Sequence, residues 1–438
     1  MNAQVVGAGR HGLHHRGSVA SLHSITSFAL SIGQKEAWKK ILRELHGNGI
    51  TADMINAKKD EIFRLFRSVS VLGSSSINPD EGKQEGRQEN PIDRPGIQLD
   101  VMVARARYFM ARLALVRGES ELHNAASEGR SNLVKVLLDR GASIDATAGD
   151  DKWTALRSAA RHGHIKVVNV LLDKGASIDA TDVRQWTALH SAAFNGHIEI
   201  MKLLLGRGAT IYATTNEECT ALHFAAQNGH IEIVKLLLDR GAMIDATTND
   251  KCTALFIAAQ HGHIEIVKLL LDRGATIDAM TNEICTALYG AAYHGHIEIV
   301  KLLLDRGAAI DATTNDKCTA LHGSAQNGHI EIMKLLLGRG ATIDATTNKK
   351  FTALHFAAQN GHIEIVRLLL DRGASFYATT NDTKWTALHS AASKGHIEIV
   401  KLLLDRGASI DATTNHSPTA LHSAAKSGDI ASRACSEH

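Results

Sequence analysis

Three patterns in this sequence carry residue types that could do chemistry. In VVGAGRHG, Gly7, Gly9 and Gly12 satisfy GxGxxG, a loop that lets backbone approach a dinucleotide pyrophosphate. Such a loop works between a strand and a helix, with an acid about 20 residues on. Here two valines lead in and the first acid is Glu36, so a floppy terminus explains the same letters. The second pattern is histidine: there are 25, with HGH at His162 and His164, His261 and His263, and His294 and His296, a spacing that invites metal ligation. Eight of them occupy one GH step in successive copies of a repeated segment and seven close a TALH-type motif, so their recurrence belongs to a frame and not to one site. His11, His14 and His15 could bind metal adventitiously, but they fall in an expected unstructured tail and do not read as a designed site. The third pattern is Cys219, Cys252, Cys285 and Cys318, a ladder at intervals of 33. Packed helices lie about 8–10 Å apart, whereas a disulfide needs Cα atoms within about 7 Å and zinc needs sulfurs about 2.3 Å from the ion, so equivalent positions cannot meet. No GxxxxGK(S/T) or GxSxG motif is present. The expectation is no catalytic residue, no cofactor and no metal.

The elements that carry these residues are constrained by composition. The 438 residues hold 48 Lys plus Arg against 46 Asp plus Glu, a net charge of +2, which does not suit a nucleic-acid-binding stripe. Hydrophobic residues make 44% but aromatics only 4%, so the core is aliphatic. Five cysteines, an odd number in a long chain, fit a reducing compartment, and the expected location is the cytoplasm, with the nucleus open. No run approaches the roughly 18 apolar residues of a membrane span. The first 35 residues carry Arg10, Arg16 and Lys35 but no acid, a composition shared by transit peptides and by solvated tails.

Self-alignment finds TAL at Thr154, Thr187, Thr220, Thr253, Thr286, Thr319, Thr352, Thr386 and Thr419, with a degenerate copy, SELH, at Ser120. The spacing is 33 or 34 throughout, and the repeats govern nearly three quarters of the chain. In the copy TALHFAAQNGHIEIVKLLLDRGAMIDATTNDKC, Thr220 suits an N-cap and Ala221, Leu222, Ala225 and Ala226 make a short apolar face. Gly229 then supplies a left-handed stop. Ile231, Ile233, Val234, Leu236, Leu237 and Leu238 build a second helix that Gly241 ends, and Met243 to Cys252 reads as a turn or hairpin. Six aliphatic side chains cannot offset the ordering of 33 residues, so a copy must stack on its neighbours to fold. Glu232, Lys235, Asp239 and Arg240 cancel within each copy and are spaced for weak i,i+3 or i,i+4 pairs.

TALHxA, the GH step and LLLxxGAxxDA together resemble the ankyrin repeat. That resemblance implies an all-α repeat fold: an ankyrin solenoid of helix-turn-helix units joined by β-hairpin or turn fingers, with the TALH histidine hydrogen-bonding within and between repeats. Ala221 and Ala254 stand where the family usually has Pro, and both suit a first helical position. The usual hairpin glycine is absent, with Lys251, Lys317 and Lys350 near that point, which leaves the tip geometry open.

The expected organisation is a disordered tail (1–33), a small helical hairpin (34–72), a flexible linker (73–96), a capping helix (97–117) and the array (118–438), about nine full repeats and a truncated tenth. Ser120, Glu121 and Arg130 make the first copy polar, as a water-facing end should be, and GDIASRACSEH replaces the last aliphatic run, so the C-terminus should fray. Residues 34–68 are weakly similar to leaders that precede ankyrin arrays in filamentous-fungal proteins, some of them relatives of receptor-type NTPases, but no NTPase core accompanies them.

Between copies, variation gathers just before TAL and two residues before GH. In ankyrins these positions lie on the fingers and the inner helix surface, which form a concave groove for partner proteins. Trp153, Arg161, Trp186, Phe194, Tyr293, Phe351 and Trp385 are therefore the candidate partner-binding residues, because aromatic and Arg side chains dominate binding hot spots. A packing role over the next finger is equally open to Trp153, Trp186, Phe351 and Trp385. The function expected is a non-catalytic protein-interaction scaffold: a monomeric array with one or more protein partners, and neither nucleic acid nor membrane among them. The alternative is the sensor portion of a larger NTPase-type signalling receptor, or of an enzyme whose catalytic part is absent from this chain.

Overall fold

The chain divides into two units, Met1–Arg117 and Gly118–His438. The computed structural model describes residues 121–415 and 419–420, all in the second unit. The expectations for 1–33, 34–72, 73–96 and 97–117, for the Gly7 loop and for fraying beyond residue 420 lie outside the described residues.

In the repeat that opens at Thr220, that residue sits in extended backbone and caps the first helix, Ala221–Gln227. Gly229 follows at φ 77°, in the left-handed region that glycine adopts without steric cost, and the chain reverses into the second helix, Ile231–Asp239. Leu222, Ala225 and Ala226 of the first helix and Ile233, Val234 and Leu237 of the second are buried, while Ile231, Leu236 and Leu238 pack half-buried against them. The small alanines let first helices approach one another closely, which is why the core contains little aromatic surface. Nine such pairs follow one another among the described residues, from residues 121–127 with Ser131–Asp139 to Ala387–Lys394 with Ile397–Asp405. The result is an all-α repeat solenoid. No helix among the described residues is long and apolar enough to cross a membrane.

Neighbouring repeats are tied together at up to three levels, the aspartate one being replaced where Tyr212 and Tyr377 stand at its position. The GH histidine donates from Nε2 to a carbonyl of the preceding first helix, as His263 does to Gln227 at 2.9 Å. Its ring lies so close to the preceding repeat's glycine that a Cβ on Gly229 would stand 2.7 Å from His263 Cε1. At the turn after the second helix, Asp245 accepts the backbone N–H (3.0 Å) and hydroxyl (2.6 Å) of Thr276. Along the fingers, Asn249, Asn282, Asn315 and Asn348 each donate a side-chain N–H to the asparagine carbonyl of the finger before, at 2.7–3.0 Å.

One expectation changes in part and one open point is settled. Of the i,i+3 and i,i+4 pairs expected within each copy, the i,i+4 spacing of Lys235 and Asp239 gives no ion pair, because Asp239 turns to the next repeat. The Asp–Arg pairs run between repeats, Asp239 to Arg273 at 2.9 Å and Asp272 to Arg306 at 2.8 Å, and among the described residues the i,i+3 ion pairs are Glu–Lys, as in Glu199–Lys202. The finger tips keep left-handed geometry without glycine: Lys152, Gln185, Glu218, Lys251, Ile284, Lys317, Lys350 and Lys384 all have φ between 54° and 59°. A side-chain oxygen makes this possible. Thr248 Oγ1 accepts the Cys252 N–H (3.2 Å) while the Lys251 N–H donates to the Thr248 carbonyl (2.8 Å). Among the described residues only one finger shows strand pairing, β1 (Thr147–Ala148) antiparallel to β2 (Trp153–Thr154).

Candidate functional site

The TALH histidine brackets the backbone on both sides. In the Thr220 repeat, His223 Nδ1 accepts the Thr220 N–H at 3.0 Å, and its Nε2–H donates to the Ala246 carbonyl of the next turn at 2.9 Å. A ring nitrogen that accepts a peptide N–H cannot also carry a proton, so this arrangement requires neutral imidazole. Burial acts in the same direction. It holds His190 and His355 down at about 4, against the raising effect of their hydrogen bonds to Ala213 and Trp385, and it lowers His223 and His322.

The histidines grip the backbone of the varying positions. His123, His322 and His355 donate to the carbonyls of Trp153 (2.7 Å), Phe351 (3.3 Å) and Trp385 (3.1 Å). His197, His230 and His329 of the GH series donate to Arg161 (2.9 Å), Phe194 (3.1 Å) and Tyr293 (3.1 Å). Six of the seven residues singled out from sequence are thus fixed through their main chain while their side chains differ from copy to copy.

The seventh, Trp186, has a different bracket. Arg157 stands where the preceding repeat would place its histidine, and Asp182 stands where later fingers place threonine. The two form a buried ion pair, their side chains 6% and 2% exposed. Asp182 also accepts the N–H groups of Arg184 and Trp186, both at 2.8 Å, and Arg157 Nε donates to Ser191 Oγ at 3.2 Å. The guanidinium lies 4.1 Å from the Trp153 ring centroid and 5.6 Å from that of Trp186. Burial lowers the Arg157 pKa, and the Asp182 carboxylate beside it acts in the opposite direction.

Around this bracket the structure brings together four of the seven. Arg161 stacks on Trp153 at 4.9 Å, and Trp186 contacts Phe194 at 5.8 Å and Phe224 at 4.3 Å. Phe194 remains 39% exposed and Trp186 is half-buried, so Trp186 both packs on the next repeat and presents an edge. The other three sit further along. Tyr293 stacks on Tyr289 at 5.9 Å, Phe351 on Phe356 at 5.6 Å, and Trp385 on its own repeat's His389 at 6.3 Å.

Sequence reasoning missed Arg157, Phe224, Phe256, Tyr289 and Phe356. They lie three or four residues after the TAL threonine, where copies alternate among His, Arg, Phe and Tyr and then among Ser, Phe, Ile and Gly. That variation was a usable signal. The rings need room, and glycine provides it: a Cβ on Gly290 would stand 3.4 Å from Phe256, and one on Gly323 would stand 3.5 Å from Tyr289.

The cysteine ladder occupies the finger roots of four successive repeats. Cys219, Cys252, Cys285 and Cys318 are free thiols that burial pushes up in pKa, which makes them poor nucleophiles. Among the described residues no group of three His, Cys, Asp or Glu side chains could hold a metal ion.

These features define a class: a helical-repeat array in which a recurring backbone frame carries side chains that vary from copy to copy. A family model for ankyrin repeats (three copies) matches residues 122–215, 189–281, 244–314, 288–380 and 376–433, and the chain belongs to the ankyrin-repeat family. Proteins of this fold are generally protein–protein interaction modules and are typically non-catalytic. Among solved structures, the chain is similar to the crystal structure of the human ASB11 ankyrin repeat domain. The two share 28% identity over 50% of this chain and 97% of that one, with a TM-score of 0.47. No curated protein matches.

Proposed function

We propose that this protein is a non-catalytic cytoplasmic scaffold that captures a partner protein on the face bearing Trp153, Arg161, Trp186, Phe194, Tyr293, Phe351 and Trp385. One observation carries the reading: the main chain at these positions is clamped by polar brackets while the side chains change from repeat to repeat. A frame held constant beneath varying aromatic residues is what a recognition surface needs, since rigid anchors lose little entropy on binding.

The test is affinity capture with the full chain from its source cell, comparing the natural sequence with Phe194→Ala and Tyr293→Ala. Both substitutions should weaken capture of the same protein about tenfold or more and leave the thermal melt within a few degrees. Unchanged capture by both variants, or a collapse of the melt that accounts for the loss, would end the reading.

A further inference from the structure

The finger row is electrically polarised, and the polarity begins beside the aromatic patch. Trp186 and Phe194 form that patch, and Val183, on the finger that Trp186 roots, is an apolar residue 46% exposed. Beyond it, the fingers ahead of Thr220, Thr253, Thr286 and Thr319 carry Glu217, Glu218, Asp250, Glu283 and Asp316 against Lys251 and Lys317. All five carboxylates are exposed, and each of these fingers is tied to the one before it by the asparagine ladder, so every finger of this stretch offers a carboxylate, and with Lys251 and Lys317 set against the five the net charge is −3. Their roots are cysteines, smaller than the Trp and Phe that flank them. Further on, Lys349 and Lys350 reverse the sign on the next finger, and Asp382 and Lys384 balance on the one after it.

Building on the proposed scaffold role, we infer that the partner supplies an extended segment with an apolar anchor at the Trp186–Phe194 patch, followed by Lys or Arg residues along these acidic fingers. Neighbouring packed elements lie about 10 Å apart and an extended chain advances about 3.3 Å per residue, so one basic side chain per finger means Lys or Arg at about every third residue. Opposite charge on the Lys349–Lys350 finger disfavours a longer basic tract and sets the direction in which the segment lies.

The test is selection of binders from a random-peptide display library on the full chain. Individual peptides are then labelled and measured by fluorescence anisotropy, in low and high salt, against the natural chain, Glu217→Lys/Glu218→Lys, Glu283→Lys and Phe194→Ala. The charge-reversed positions are exposed finger tips, and circular dichroism melts confirm that those variants fold. The expected peptides carry an apolar residue followed by basic residues at intervals of about three, and charge reversal weakens them about tenfold, more so in low salt. Selected peptides that lack basic residues, peptides indifferent to both charge-reversed variants, or failure to select any peptide would overturn the inference. The Phe194→Ala arm separates the two readings: peptides lost there but indifferent to charge reversal leave the scaffold face standing without its polarity, and peptides indifferent to both variants remove the face as well.

Discussion

The two ways this array holds a finger to a helix meet at Thr187. On one side, Arg157 and Asp182 bracket the Trp186 finger with a buried ion pair; on the other, His190 and His223 bracket theirs with neutral imidazole. The backbone is the same in both: the Gln185 tip has φ 59° and the Lys251 tip φ 55°. Asp182 Oδ1 takes the N–H that Thr Oγ1 takes elsewhere, at 2.8 Å against 3.2 Å. The frame therefore specifies a polar atom at a point in space and leaves its identity open. The choice has consequences, because an ion pair is strong only while complete, and a neutral histidine only while it stays neutral.

The sharpest way to break the comparison is to remove half of the ion pair. Asp182→Ala leaves the Arg157 guanidinium buried without its carboxylate and should cost about 3–5 kcal/mol, whereas Thr248→Ala at the matching finger position loses an uncharged turn bond worth about 1 kcal/mol. Urea denaturation of both variants reads the difference. The double variant Arg157→His/Asp182→Thr installs the common bracket and should recover most of the loss. Equal costs for the two single variants would mean that the pair is not the bracket described here.

Acid separates the brackets next. His190 and His355 have folded pKa values near 4 against about 6.5 unfolded, so the unfolded chain takes up protons that the folded chain refuses. Their contribution is complete above pH 6.5 and is lost progressively as pH falls toward 4, up to about 3 kcal/mol apiece. Urea midpoints should fall between pH 6.5 and 5, above the range where ordinary carboxylates take up protons. His355→Gln should flatten that slope, and Arg157→His/Asp182→Thr should steepen it. A midpoint that does not move over this interval would show that these imidazoles are not held neutral.

The period of 33, the Thr caps and the glycine stops are local and periodic, so fold class, helix pairs and core were legible in the sequence. Trp153 and Phe194 were legible as candidates for the same reason: a fixed register makes variation visible. What stayed hidden depends on partners about 30 residues away. Nothing near Asp239 announces that it pairs with Arg273 and not with its own neighbour, and Arg157 and Asp182 look like unrelated departures until their side chains meet. The asparagine ladder was hidden differently: a turn-forming Asn looks the same in sequence whether its amide faces water or the next finger.

The finger tips sharpen the comparison with the smallest effect. Left-handed backbone costs a residue with a Cβ roughly 1–2 kcal/mol, and a β-branched side chain bears the most strain. Ile284 is the β-branched residue at this position, with φ 58°, held by its N–H to the Thr281 carbonyl at 2.8 Å and by Cys285 N–H to Thr281 Oγ1 at 3.1 Å. Glycine there relieves the strain but loosens the unfolded chain, a partial offset. Ile284→Gly should therefore stabilise the array by about 1 kcal/mol, and Gln185→Gly by less, because glutamine has no branch at Cβ to relieve. Ile284 is also 38% exposed, so its removal uncovers no core. A melt that falls for Ile284→Gly would mean that its side chain contributes more to the finger than its backbone costs, and the tip would then be a packed element in its own right.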